Sequence, residues 1–289
     1  MKLFPAISLA VLSQIILSCA STPKINDTSS STVDPVAAKD FKFKTIPAKF
    51  SGGMADYKFN NVSYKARWAR CVLKPGVPFV AYFHGSDKAT EGDAFCSDWT
   101  AQVLLKNGFN VVAVNRPSFA GSTGNDDMAG PQSVAASLAG IKMAVGIDPV
   151  AGFWGFDTGV IAASFSAKSH PNLKWLLLGN GFYDLEITER STKSDAIRAA
   201  IQKQKISEGD SALEKRSIAW DAAGIPKLVA IYHAKADDVA PANQAEAFND
   251  QLRTAQSKVF IDEFEGGGHD IPWQAHYQIV DKALKNLKQ

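Results

Sequence analysis

The chain has 289 residues, 46% hydrophobic and 21% charged, a balance that fits a folded globular protein and excludes collagen-like, coiled-coil and disordered classes. That length suits one large α/β domain, or at most two small ones. The net charge of +2, from 31 Lys and Arg against 29 Asp and Glu, provides no broad basic field for nucleic acid and no polyacidic tail. Three cysteines are too few for a disulfide scaffold or a structural zinc cluster.

Met1-Lys2 is a short positive start, and Leu3 to Leu17 is a mostly apolar run too short to span a bilayer comfortably. The run closes on Leu17-Ser18-Cys19, the pattern of an export signal with a small residue before the cut. This ending resembles the bacterial lipobox, and the resemblance implies that Cys19 is lipidated and becomes the first residue of a membrane-anchored, envelope-located lipoprotein. An ordinary signal peptide with an incidental cysteine is the alternative. Residues 20–42 are rich in Ser, Thr, Pro and Asp and cannot bury enough apolar surface to order themselves, so they are expected to form a flexible tether. The folded domain is expected over 43–289. With export, Cys71 and Cys96 occupy an oxidising compartment; a disulfide and two buried free thiols are both open.

From residue 54 onward the punctuation is regular. Residues 55–70 alternate around Asn60-Asn61, as a hairpin does. Residues 77–83 (VPFVAYF) and 110–115 (NVVAVN) are near-continuous apolar runs, as strands buried on both faces should be. Helical spacing fills 94–106 and 132–145. A third strand is predicted at 150–155, a small-residue helix at 158–168, and a strand at 173–178. Residues 185–223 are polar and helical in pattern, and 184–224 is set aside as a lid-like insertion. Strand 227–232, helix 242–254, strand 259–263 and a helix from Trp273 close the chain. Strands separated by helices imply a mostly parallel sheet covered on both faces, which binds ligands at the carboxyl ends of its strands.

Four of those ends carry chemistry. Gly155-Phe156-Asp157-Thr158-Gly159 lies between strand and helix, with glycines that permit a sharp turn and push the middle side chain outward. His233 to Pro241 (HAKADDVAP) is an acidic turn after a strand. Gly266-Gly267-Gly268-His269-Asp270 puts a histidine on a glycine loop after the last strand. His84-Gly85-Ser86-Asp87 follows the first buried strand, where an oxyanion hole would be built. The order elbow, acid, histidine resembles the α/β-hydrolase superfamily from about residue 55 to the end. The resemblance implies an α/β-hydrolase fold with His269 as base and Asp237 as its orienting acid. Asp238 is the second choice for that acid and Asp184 a more distant rival. The backbone amides of Ser86 and Thr158 take the place of the oxyanion donors. Phe156 and Phe182, at strand ends, are candidates to line an apolar substrate pocket. His84 is read as shaping its loop, and His170, His233 and His276 as structural.

The departure is at the elbow, where the superfamily's commonest residue is serine and this chain has Asp157. A carboxylate is ionised at neutral pH and needs no base to attack. Attack on an ester carbonyl would give an anhydride and expel a more basic alkoxide, whereas attack on an alkyl halide or epoxide gives a stable alkyl ester. Haloalkane dehalogenases and epoxide hydrolases of the superfamily work in this way. Yet Thr158 stands where dehalogenases place a halide-holding tryptophan, and 185–224 contains no tyrosine to assist epoxide opening. Residues 121–124 (GSTG), Arg216-Ser217 before Trp220 and the Asp237 turn instead resemble the serine esterase and dienelactone-hydrolase-like branches. Two readings stand: a hydrolase of a small, partly apolar substrate through Asp157, and an inactive hydrolase-fold binding or envelope protein. Neither calls for a cofactor or a metal. The phosphate loop G-x-x-x-x-G-K-[ST] and H-E-x-x-H are absent, and Gly179-x-Gly181 lacks the third glycine of a dinucleotide site.

Overall fold

The computed structural model of the chain describes residues 41–86, 90, 92–265 and 267–288. The expected export signal, Cys19 and nearly all of the expected tether lie outside the described residues. Phe41, within the span expected as tether, packs against the last helix, its ring centroid 5.0 Å from that of Tyr277.

Strands β1 (Lys49–Phe59) and β2 (Val62–Val72) form the expected hairpin, longer than its sequence pattern suggests. Its register runs from Lys49 opposite Val72 to Phe59 opposite Val62. Asn60 and Asn61 both have positive φ, 49° and 63°, as a two-residue turn matched to strand twist requires. The next strands are β3 (Phe79–Phe83) and β4 (Asn110–Val114), buried at every residue, and they are separated by α1 (Trp99–Lys106). The expected helix 94–106 is broken into a 3-10 turn and α1, because Asp98 takes an extended conformation and its side chain accepts from Thr100 N at 2.9 Å as an N-cap. Helix α2 (Pro131–Val145), β5 (Val150–Phe156), α3 (Gly159–Lys168) and β6 (Trp175–Gly179) follow. After three insertion helices come β7 (Leu228–Ala234), α7 (Asn243–Thr254), β8 (Lys258–Phe264) and α8 (Trp273–Asn286).

The eight strands lie in the order β1-β2-β4-β3-β5-β6-β7-β8. The pairs β1–β2 and β2–β4 are antiparallel, and every pair from β4 to β8 is parallel. Alternate strand residues feed two cores: Phe153 joins one with Ile141, Val160, Ile161 and Phe248, and Trp154 the other with Val103, Leu104, Val280 and Leu284. Helices α2, α3 and α7 therefore cover one face, and α1 and α8 the other. The chain runs outward from β3 in both directions, so the crevice at the carboxyl end of β3 is the switch point of the sheet.

The insertion consists of α4 (Leu185–Ser191), α5 (Asp195–Glu208) and α6 (Ser211–Glu214). It bridges two loops at the carboxyl edge. Lys193 N donates to Asp238 O at 2.7 Å, and fully buried Arg216 donates from Nε to Asp127 O at 2.8 Å. Among the described residues no helix is long and apolar enough to cross a membrane.

Cys71 on β2 and Cys96 are joined in a disulfide with their Cα atoms 5.6 Å apart, which decides the alternative left open by sequence. The bond ties the segment after β3 to the neighbouring hairpin. With the cysteines 25 positions apart, chain entropy predicts that Cys96→Ser lowers the unfolding free energy by about 3 kcal/mol. Guanidinium unfolding checks this, and an unchanged midpoint would contradict it.

Candidate active site

Asp157 sits in the turn between β5 and α3 with φ 53°, a left-handed conformation that a non-glycine residue adopts at a cost of about 1–3 kcal/mol. The turn closes through Asp157 N to Gly179 O at 3.0 Å and Val160 N to Asp157 O at 3.1 Å. It is possible only because α3 begins against the end of β3. A Cβ on Gly159 would lie 2.1 Å from Phe83 O, so no larger residue fits there. The elbow geometry read from the sequence is present, with the carboxylate at its apex.

The two oxygens of that carboxylate have unlike surroundings. Oδ2 accepts from Ser86 N and from Ser86 Oγ, both at 2.7 Å. Oδ1 faces His269 Nε2 at 3.5 Å and has no hydrogen-bond partner among the described residues. The whole residue is only 3% exposed. Burial pushes the carboxyl upward, but His269 and the two Ser86 donors outweigh it and hold the group below the ordinary aspartate range. The amino-terminal end of α3 acts in the same direction.

His269 closes the other side. Its Nδ1 donates to Asp237 Oδ2 at 2.9 Å, and Asp237 Oδ1 accepts from Val239 N at 2.9 Å and Ala240 N at 2.8 Å. The imidazole thus lies between two carboxylates. Burial alone would lower its pKa, but Asp157 and Asp237 reverse that and raise it to about 10. The rings of Phe156 and Phe182 lie 6.2 Å and 6.3 Å from it; Phe156 keeps some exposed surface and Phe182 has none.

The remaining candidates are placed as follows. Asp238 forms an ion pair with Lys193 at 3.6 Å and points to the insertion. Asp184 caps α4 through Glu186 N and Ile187 N and accepts from Trp220 Nε1 at 2.7 Å, which occupies both its oxygens away from His269. Thr158 is the residue at the start of α3, with its hydroxyl buried. His84 accepts from Arg116 N at 3.2 Å through Nε2, shaping its loop as read from sequence. His276 is buried against Tyr232 and His233 beside Glu263, and His170 packs on Phe153. Among the described residues no group of three or more His, Cys, Asp or Glu is arranged to hold a metal ion.

Sequence reasoning missed three contributors. The Ser86 hydroxyl acts beside the amide that motif logic had singled out. Buried Asn180 donates from Nδ2 to His269 O at 2.8 Å and accepts from Ala234 N at 2.9 Å, sewing the histidine loop to the ends of β6 and β7. Its signal was a polar residue after an apolar strand, in the very Gly179-x-Gly181 segment considered for a nucleotide. Arg116, at the end of β4, is the third.

No protein-family model matches the chain, and no curated protein matches it in sequence. Solved structures do match. Acylaminoacyl peptidase of Pyrococcus horikoshii superposes with a TM-score of 0.65 at 17% identity, over 86% of this chain and 42% of that one. Carboxyl esterase 2 of Tuber melanosporum gives 0.60 at 17% identity, over 86% and 89% of the two chains. Acetyl xylan esterase 1 of Thermoanaerobacterium gives 0.61 at 15%, over 86% of each. The chain spans less than half the length of the peptidase. At these identities it is the fold that is shared: the chain has the α/β-hydrolase fold.

The raised His269 value sets a pH dependence. A histidine stabilised as a cation contributes stability that is fully present below its ordinary value of about 6.5 and is lost as pH rises through about 10. The stability difference between wild type and His269→Gln is therefore expected to shrink across that window. Nitrogen-15 NMR of the ring should titrate near pH 10, and Asp157→Asn should lower the midpoint by about 2. A ring that titrates near 6.5 in the wild type would contradict the ion triad.

Proposed function

We propose that the protein is an envelope-anchored hydrolase acting on a small, partly apolar substrate, with Asp157 as nucleophile, His269 as base and Asp237 as the acid that orients it. The observation that carries this reading is the division of labour within the Asp157 carboxylate. Oδ2 is fixed by two donors at 2.7 Å, while Oδ1 is free of hydrogen bonds and faces the imidazole at 3.5 Å.

The protonation of His269 decides which chemistry fits. With its pKa near 10 the ring carries a proton at neutral pH, so it cannot take one from a serine-like nucleophile or from water in the resting state. A carboxylate needs no such help. Oδ1 attacks saturated carbon bearing a halide, or an epoxide carbon; the new C–O bond forms as the bond to halogen or ring oxygen breaks. The product is an alkyl ester of Asp157. Forming it removes the negative charge that did much to hold the His269 proton, so the ring gives up that proton, to the alkoxide of an opened epoxide or to solvent where halide leaves as the anion, and can then take one from water. Water attacks the ester carbonyl carbon, the charge develops on Oδ2, and Ser86 is already bonded there. An ester-type substrate fits less well, since attack by Oδ1 on it gives an anhydride. Phe156 supplies an apolar wall.

A non-catalytic binding or envelope protein is the second reading, favoured by the burial of Asp157, which is consistent with a satisfied ion pair. Turnover in heavy-oxygen water separates the two. Label in the Asp157 carboxylate after a single turnover is expected, and a substrate turned over with no label there removes the covalent route. Inertness towards panels of alkyl halides, epoxides and short esters favours the binding protein.

Anchoring rests on the sequence of residues 1–42 and is supported by the Cys71–Cys96 disulfide, which suits an oxidising compartment. The mature protein is expected to begin at an acylated Cys19. Amino-terminal mass spectrometry of membrane-extracted protein tests this, and any other first residue contradicts it.

A further inference from the structure

One peptide unit carries more of this site than its neighbours do. The Gly85–Ser86 peptide donates its N–H to Asp157 Oδ2 at 2.7 Å. Its carbonyl, Gly85 O, lies within hydrogen-bond distance of two other groups: His84 Nδ1 at 2.8 Å and Arg116 Nη2 at 3.2 Å. Because His84 Nε2 accepts from Arg116 N at 3.2 Å, the ring proton belongs on Nδ1, where it points at the same carbonyl. Gly85 is itself confined, since a Cβ there would stand 2.7 Å from Asp157 Oδ2.

Arg116 is unusual for a buried arginine. It is 3% exposed, and its bond to Gly85 O is the one hydrogen bond its side chain makes among the described residues. Nε and Nη1 have no hydrogen-bond partner there; Asp126 is 3.7 Å from Nη1, and the guanidinium lies 4.6 Å from the Phe119 ring centroid. A desolvated cation with one bonded acceptor acts strongly on that acceptor.

We infer that Arg116 and His84 are positioning residues that polarise the Gly85–Ser86 peptide, so that its N–H holds the charge on Asp157 Oδ2 more tightly than an ordinary amide would. This rests on the reading of Asp157 as nucleophile only for its catalytic consequence, because the polarisation exists in the resting protein. Charge on Oδ2 is reduced when the alkyl ester forms and returns when water attacks it. A stronger donor therefore speeds hydrolysis of the ester rather than its formation. Burial and the Arg116 charge keep His84 neutral by lowering its pKa to about 3, so His84 serves as a fixed dipole across the working range.

The test is the amide proton resonance of Ser86 in the full domain, read by proton–nitrogen NMR. Arg116→Gln should move it upfield, and Arg116→Lys, which keeps the charge, should restore most of the shift. Should Arg116→Gln fail to fold, Asp126→Asn at the half-exposed partner decides: freeing the guanidinium should move the resonance downfield. A Ser86 resonance unmoved in the folded variant overturns the inference. With a substrate in hand, Arg116→Gln should lower kcat about tenfold with KM falling alongside it, so that kcat/KM is unchanged while alkyl-enzyme accumulates. A wild type inert to every electrophile would sink the nucleophile reading and leave the NMR result standing on its own.

Discussion

The constraint on which the site depends is the fixing of one carboxylate oxygen so that the other is left without a bond. Ser86 supplies two charge-assisted donors to Asp157 Oδ2, each worth about 1.5–3 kcal/mol. Together they exceed the roughly 1–3 kcal/mol that the left-handed elbow costs. The strained turn is therefore stable only in partnership with the loop after β3. Neither half explains the other alone: the elbow aims the side chain, and the loop decides which oxygen is left without a hydrogen bond.

The sheet makes this partnership possible. The ends of β3, β5, β7 and β8 bring Ser86, Asp157, Asp237 and His269 to one edge, although they span most of the chain. Secondary ties reduce the freedom of each piece. The Cys71–Cys96 bond holds the segment after β3 to the hairpin, and Asn180 joins the histidine loop to two neighbouring strands. Asp237 is fixed by two backbone amides on the oxygen that does not meet His269. The imidazole is thus flanked by two carboxylates, Asp237 held by backbone amides and Asp157 by the amide and hydroxyl of Ser86, and this is why the ring keeps its proton so firmly.

Much of this was legible in the sequence because it rests on local rules. The apolar runs at 77–83 and 110–115 could only be strands of a covered sheet, and glycines on both sides of Asp157 announce a tight turn. Pro241, four residues after Asp237, marks the acidic turn. What stayed hidden depends on contacts between segments far apart. Nothing near Ser86 says that its hydroxyl reaches a residue 71 positions away. Asp184 drew notice as an acid after a strand, but its oxygens are taken by α4 and Trp220, a fact of packing rather than of spacing. The pairing of Cys71 with Cys96 needed a distance, and only folding supplies one.

The measurement closest to the central claim is the intact mass of His269→Gln after exposure to an alkyl halide or epoxide that the wild type turns over. On the proposed reading this variant keeps the nucleophile but lacks the base that clears the ester. The account predicts a stable increase of one alkyl group per chain, located on the peptide that contains Asp157. An unmodified variant, or an adduct on any other residue, would contradict it.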